Sequence, residues 1–324
     1  MTETELTIEQ RALDIVKQEL NQYSSKQIDT VLALLEDGNT VPFIARYRKD
    51  QTGSLDEVQI REIEERNRYL VNFEKRKDEV IRLIDEQEKL TDEILNDLMK
   101  AKTLTALEDI YRPFKQKKRT KATIAKEAGL EPLAEFLLAC TADDVEAKAA
   151  TFVNEEKEIL TVEDALNGAL EIIAEKVSDN AHYRKLLREY TVQKAMLVTS
   201  LKDEEKDEKH VYEMYYDYQE LVKTIVPHRI LAVNRAEKEG VVKVSLEVDT
   251  TIPLEKIMKK EISNAASPSA TYIKAAIEDS VKRFIAPAIE REIRSELTEK
   301  AQTQAIEIFG ENLQNLLLQA PMKG

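Results

Sequence analysis

Residues 269–321, SATYIKAAIEDSVKRFIAPAIEREIRSELTEKAQTQAIEIFGENLQNLLLQAP, carry one helical pattern over almost their whole length. Apolar residues recur every three to four positions and charged residues fill the gaps. Pro287 should kink this run or split it, because it removes a backbone donor and crowds the preceding turn. The rest of the chain follows the same rule. Only 7 Gly and 8 Pro punctuate 324 residues, so breakers are scarce and long helices are expected.

Working back from that run, short segments repeat the helical period. Ile8, Ala12, Ile15, Val16 and Leu20 share one face, and Ile28, Val31, Leu32 and Leu35 share the next before Gly38 stops the helix. Residues 41–58 read as irregular, with Pro42 and Gly53. Ser54 and Glu57 read as a capping box for a long helix reaching about Asp85. Its apolar face is Val58, Ile63, Leu70, Phe73, Val80 and Ile84. Two shorter helices follow up to Pro113. Beyond it come a helix, a Gly129 turn and a helix opened by Pro132. Residues 161–200 read as two more helices, and 201–210 as a charged, mobile connector.

The character changes near 212. Tyr212, Tyr215, Tyr216 and Tyr218 cluster, and Val242, Val244, Leu246 and Val248 alternate as a strand does. No pairing partner for that strand stands out. The expected fold is therefore nearly all-α: an elongated multi-helix array with a small β element near 241–248 and a long C-terminal helix. Three divisions follow from sequence character: 1–140 with a basic loop and a helix-turn-helix-like unit, 141–205 as a helical connector bundle, and 206–324 with the Tyr-rich segment, short strand and long axial helix.

Charge sets the functional question. The chain holds 48 Lys plus Arg against 62 Asp plus Glu, a net −14. Yet Tyr111–Ala122, YRPFKQKKRTKA, has Arg112, Lys115, Lys117, Lys118, Arg119 and Lys121 and no acid. Lys and Arg so concentrated can neutralise phosphates and release counterions, giving affinity without sequence preference. The competing reading is a solvated loop, or one paired to this protein's own acidic helices. Arg46, Arg48 and Lys49 form a second candidate contact, competing with a structural connector whose arginines bond helix ends. The 125–138 spacing suits a helix-turn-helix, but its second helix offers Leu133, Phe136, Leu137 and Leu138 where a recognition helix shows polar groups.

Other chemistry is not indicated. Cys140 is the single cysteine, which excludes an intrachain disulfide and a thiolate zinc site. His182, His210 and His228 lack ligand spacing, so no metal, cofactor or catalytic residue is expected. The tyrosine cluster reads as packing rather than base stacking. The N-terminus is polar and no apolar run approaches the roughly 18 residues of a membrane span, so a cytoplasmic, non-membrane protein is expected.

Three stretches together resemble the Tex family of bacterial transcription accessory proteins: Thr40–Glu57 (TVPFIARYRKDQTGSLDE), Leu107–Ala134 and Val226–Glu247 (VPHRILAVNRAEKEGVVKVSLE). The segment from Arg283 fits as well, so the resemblance spans about Leu6 to the end. Ala236 stands where the family more often has Gly, and Gln116 where Pro is common. The first makes Asn234–Glu237 helical. The family implies more than this chain holds: an RNase H-like domain, helix-hairpin-helix motifs and a C-terminal OB-fold. The terminal helix resembles the family's axial helix, against which those domains dock. Ile306, Phe309, Leu313, Leu316 and Leu317 would then be partly exposed, and the fragment is expected to dimerise or dissolve poorly.

Two functions follow as expectations. One is a non-enzymatic scaffold binding RNA or DNA through the phosphate backbone. The other is a protein-interaction scaffold that positions the RNase H-like and OB-fold domains and contacts RNA polymerase or ribosome.

Overall fold

The computed structural model describes residues 6–319. The chain divides into two compact units, Met1–Phe114 and Lys115–Gly324. The first is all-helical: α1 (Ile8–Glu19), α2 (Ser25–Glu36), α3 (Val41–Tyr47), α4 (Lys49–Thr52), α5 (Glu57–Asp85), α6 (Asp92–Lys100) and α7 (Leu104–Tyr111). Reciprocal capping boxes start α1, α2 and α5: Thr7 with Gln10, Ser24 with Gln27, and Asp56 with Gln59.

Helix α5 carries two cores in succession. Ile60, Ile63 and Leu70 meet Ala12 and Val16 of α1, Ile28 and Val31 of α2, and Val41 and Ile44 of α3. Further along, Phe73, Val80 and Ile84 meet Leu98 of α6 and Leu107 and Tyr111 of α7. On α5 between Phe73 and Val80, the buried Glu74 carboxylate accepts from Arg11 Nε at 3.0 Å and Lys77 Nζ at 2.5 Å. Such a carboxylate is tolerable inside because cations surround it. Removing one partner from a buried pair costs about 3–5 kcal/mol.

The second unit holds α8 (Lys121–Glu127), α9 (Glu131–Leu138), α10 (Val145–Ala150), α11 (Val162–Ser178), α12 (Ala181–Lys194), β1 (Met196–Leu201), β2 (Asp217–Leu221), α13 (Pro227–Glu239), β3 (Val242–Glu247), α14 (Thr251–Glu261), α15 (Ser269–Ser280) and α16 (Ala286–Leu317). Helix α11 lies at its centre. Ala165, Ala169, Ile173 and Val177 are buried in the same core as Leu133 and Leu137 of α9 and Ile273 and Ile277 of α15. The sheet runs β2-β1-β3, antiparallel throughout, with Val198 opposite both Gln219 and Ser245.

The structure corrects several expectations. The strand near 241–248 is β3, Val242–Glu247, and its partner is β1, which the periodicity placed in a helix. A short apolar run such as MLVTSL fits either structure; pairing with β2 and β3 decides it. Val41–Tyr47 and Lys49–Thr52 are helical rather than irregular, since Pro42 sits in the first turn of α3, where its missing donor costs nothing. The cap of α5 is Asp56, because Ser54 has φ +65° and follows a left-handed Gly53. Val58, assigned to the apolar face, is 77% exposed; the packed face begins at Ile60.

Pro287 does not split the last helix. A π-helical turn, Val281–Ile285, directly precedes it, and Ser269–Leu317 is one helical run of 49 residues. The wider turn lets the Ala286 amide reach back to the Val281 carbonyl, which relieves the register strain a proline imposes. From 302 to 319 every residue is exposed, including Ile306, Phe309, Leu313, Leu316 and Leu317. Among the described residues no helix is long and apolar enough to cross a membrane.

Candidate nucleic-acid interface

The basic run begins with Arg112 in a short 3-10 turn that closes the first unit, and continues with Lys115–Lys121 at the start of the second. Lys115–Arg119 has no regular structure. Thr120 then caps α8 by accepting from the Thr123 amide at 3.0 Å. Gly129, at φ +85°, turns the chain into α9. Leu133, Ala134 and Leu137 of α9 are buried, while Glu131 and Glu135 face outward. Close approach of this corner to α11 depends on Gly168, where a Cβ would meet Leu130 Cδ1 at 2.3 Å. A helix showing two glutamates to solvent repels phosphates. Helix α9 packs its apolar side against α11 and α15.

Glu171, Glu175 and Asp179 recur every four residues from α11 to its C-cap, and so lie on one side. This acidic stripe receives the basic run. Lys117 pairs with Asp179 and sits 3.6 Å from Glu175. Glu175 also accepts from Lys126 Nζ and Thr120 Oγ1, both at 3.1 Å. Arg283 donates to both oxygens of Glu171, at 2.9 and 2.7 Å, and Lys121 lies 3.8 Å from it. Burial pushes the Glu175 carboxyl up, but the Lys126 hydrogen bond and the charges of Lys117 and Lys126 outweigh it and hold the group below its ordinary value.

Solvent exposure separates the cations. The carboxylates holding Lys117 are 15% and 11% exposed, so that link is shielded. Arg119 bonds Glu127 at 2.8 Å, yet the two side chains are 68% and 54% exposed, and the Lys121 side chain is 76% exposed. An exposed pair such as Arg119–Glu127 contributes only about 0–1 kcal/mol, and Lys121 lies at the long distance of 3.8 Å from a Glu171 that Arg283 already holds, so either cation can turn to a phosphate at little cost. Lys118 is exposed as well. Lys115 is exposed and Arg112 half-buried, and each has an interaction partner.

The second candidate contact sits on α3 and α4. Arg46 and Lys49 are exposed and Arg48 is half-buried, with its guanidinium carbon 5.3 Å from the centre of the Phe43 ring. None of the three has an ion-pair partner among the described residues. Exposed on the same helix are Phe43 and Tyr47.

The remaining features are structural. Tyr212 and Tyr215 are buried. The loop before them is built around Asp207, which accepts from the Val211 and Tyr212 amides at 2.8 and 2.7 Å and from the Tyr216 hydroxyl at 3.1 Å. Burial and the Asp207 carboxylate push that hydroxyl up to about 12. Among the described residues, no group of three or more His, Cys, Asp or Glu side chains could hold a metal ion.

Sequence reasoning missed Glu171, Glu175 and Asp179, although their four-residue spacing was visible. It also missed that Phe43 and Tyr47, four apart, lie outside the core.

The chain matches the family model described as Tex central region-like over residues 141–309 and that of the Tex-like protein N-terminal domain over residues 10–85. It is 52% identical to the protein YdcI of Bacillus subtilis over 303 residues, 93% of this chain and 42% of that one. It is 39% identical to the transcriptional accessory protein Tex of Neisseria gonorrhoeae over 312 residues, 95% of this chain and 41% of the relative. The human S1 RNA-binding domain-containing protein 1 is 28% identical over 309 residues, 91% and 31% of the two chains. The chain thus spans about two fifths of the length of the bacterial relatives. With the central-region match alone covering more than half of its residues, the chain belongs to the Tex family.

Proposed function

We propose that this chain is the non-enzymatic helical scaffold of a cytoplasmic transcription accessory factor, and that it binds nucleic acid through phosphates without sequence preference. The observation that carries the reading is the split of the basic run. Lys117 anchors the loop to shielded carboxylates of α11, and Lys118, Arg119 and Lys121 stand in solvent beside it. A flexible lysine or arginine held near a fixed anchor loses less freedom on meeting a phosphate. The relative named for its S1 RNA-binding domain supports RNA as one ligand.

Helix α8, capped by Thr120, positions the loop, and α9 does not read bases, since its outward face is acidic. The test is anisotropy with labelled strands of unrelated sequence. Equal affinities are expected, with loss of binding when Lys118, Arg119 and Lys121 are changed to Glu. A strong preference for one sequence, or unaltered binding by that variant, would overturn the proposal.

The exposed apolar residues at 306–317 favour a second reading, in which this half positions further domains and contacts polymerase or ribosome. The same anisotropy series separates the two, since the second reading expects no nucleic-acid binding by this half. The isolated chain is also expected to dimerise or dissolve poorly through those residues, and a clean monomer in sedimentation at high concentration would count against that expectation.

A further inference from the structure

Helix α3 buries one side and shows the other. Val41 and Ile44 are 5% and 0% exposed, whereas Phe43 and Tyr47 are 38% and 62% exposed. The two rings lie one helical turn apart, with centroids 5.1 Å apart and planes inclined by 45°. Arg46 lies between them in sequence and is exposed; Arg48 sits against the Phe43 ring and Lys49 follows. Residues 40–49 contain no acid. A single exposed aromatic needs no explanation. Two adjacent ones flanked by three cations, none in an ion pair among the described residues, form a pattern with a specific chemistry.

We propose that the outer face of α3 is a stacking platform for single-stranded nucleic acid. Phe43 and Tyr47 would take base faces, and Arg46, Arg48 and Lys49 would take the phosphates on either side. The proposal deepens the nucleic-acid reading above but uses a separate surface on the other compact unit. Rings plus cations suit a single strand, because each unpaired base offers a π-face and each linkage a negative charge. Duplex DNA hides its base faces within the stack, so it can use the cations but not the rings. A protein partner fits less well. The exposed apolar surface of α3 is two rings beside Pro42, and three cations accompany it. The Arg48–Phe43 contact adds pre-organisation, since it holds the guanidinium beside the ring with its N–H donors ready for a phosphate.

The experiment uses the whole chain with labelled single-stranded RNA of about 12 nucleotides, within the span such a site covers, and a matched duplex DNA. Three variants are compared by anisotropy: Phe43→Leu with Tyr47→Leu; Arg46→Gln, Arg48→Gln and Lys49→Gln together; and Lys118→Gln, Arg119→Gln and Lys121→Gln together. The ring variant should weaken single-strand binding about tenfold or more with an unchanged salt slope, and leave duplex binding alone. The α3 cation variant should lower both affinities and the slope.

Unchanged single-strand affinity in a ring variant with wild-type circular dichroism overturns the platform and leaves the face to a protein partner. If the loop variant alone loses binding, the phosphate reading stands and the platform falls. If the ring variant alone loses it, the reverse holds. A wild-type chain that binds neither strand removes both. Should the ring variant misfold, crosslinking the wild type to 4-thiouridine RNA decides. Adducts on Phe43 or Tyr47 are expected, and adducts confined to other peptides contradict the platform.

Discussion

Residues 40–49 and 111–122 start from the same property: several cations and no acid, in a chain of net charge −14. The fold uses them differently. In the second stretch Lys117 meets Glu175 and Asp179 on α11, and Lys121 lies near Glu171. In the first, Arg46, Arg48 and Lys49 have no carboxylate partner among the described residues and lie beside exposed rings. The difference teaches that a basic stretch is not a binding site by composition alone. What matters is whether a helix elsewhere presents acids at matching spacing. Helix α11 does so for the loop.

The largest effect should come from opening the core of the unit that carries the loop. Leu133→Ala empties a fully buried position of α9 and should destabilise the second unit by about 2–5 kcal/mol in urea titration. Hydrogen exchange in α1–α5, which belong to the other unit, should not change. A loss below about 1 kcal/mol would mean that Leu133 is not packed into that core.

A sharper cut removes the acidic stripe while keeping shape. Glu175→Gln with Asp179→Asn leaves Lys117 and Lys126 without charge partners and should cost about 1–3 kcal/mol. It should also convert Lys117 into a phosphate ligand, making the single-strand salt slope steeper by about 0.7. That change would make the loop resemble α3. A stable protein with an unaltered slope would show that Lys117 is not restrained by the stripe.

Acid should erode the same link more gently. The Glu175 carboxyl is held below its ordinary 4.5, so it binds protons less readily folded than unfolded. Its contribution is complete above the unfolded value and fades as pH falls through the lower folded value. The stability gap between wild type and Glu175→Gln should therefore shrink from about pH 7 to about pH 3 in denaturant titrations. A constant gap would contradict the assignment. The smallest effect belongs to α3: Phe43→Leu with Tyr47→Leu should cost no more than about 1 kcal/mol in a thermal melt, the scale of the ring pair and the Arg48 contact. A larger loss would mean that the rings are packed and unavailable to a ligand.

Much of the architecture was legible. Scarce Gly and Pro with a three-to-four period indicated the helices, and the valine alternation located β3. What escaped depended on partners distant in sequence. Met196–Leu201 is a strand because β2 and β3 pair with it on either side, and nothing local distinguishes it from the end of α12. Pro287 pointed to a kink or a split, and the run stays continuous through a π-turn five residues long. At the candidate site the cations were visible as a run. Their division into anchored and open members was not, because it rests on the exposure of Glu175 and Asp179, which is set by packing of α8 against α11. The proximity of Phe43 and Tyr47 was readable once residues 41–47 were taken as helical, and the irregular reading of that segment concealed it.

The most direct measurement is the salt dependence of single-stranded RNA binding by the whole chain and by its Lys118→Gln, Arg119→Gln, Lys121→Gln variant. Each open cation should contribute about 0.7 to the log–log slope, so the variant's slope should be shallower by about 2. Equal slopes for the two proteins, or no binding by the wild type at low salt, would contradict the account and leave the basic run as an internal strap of the scaffold.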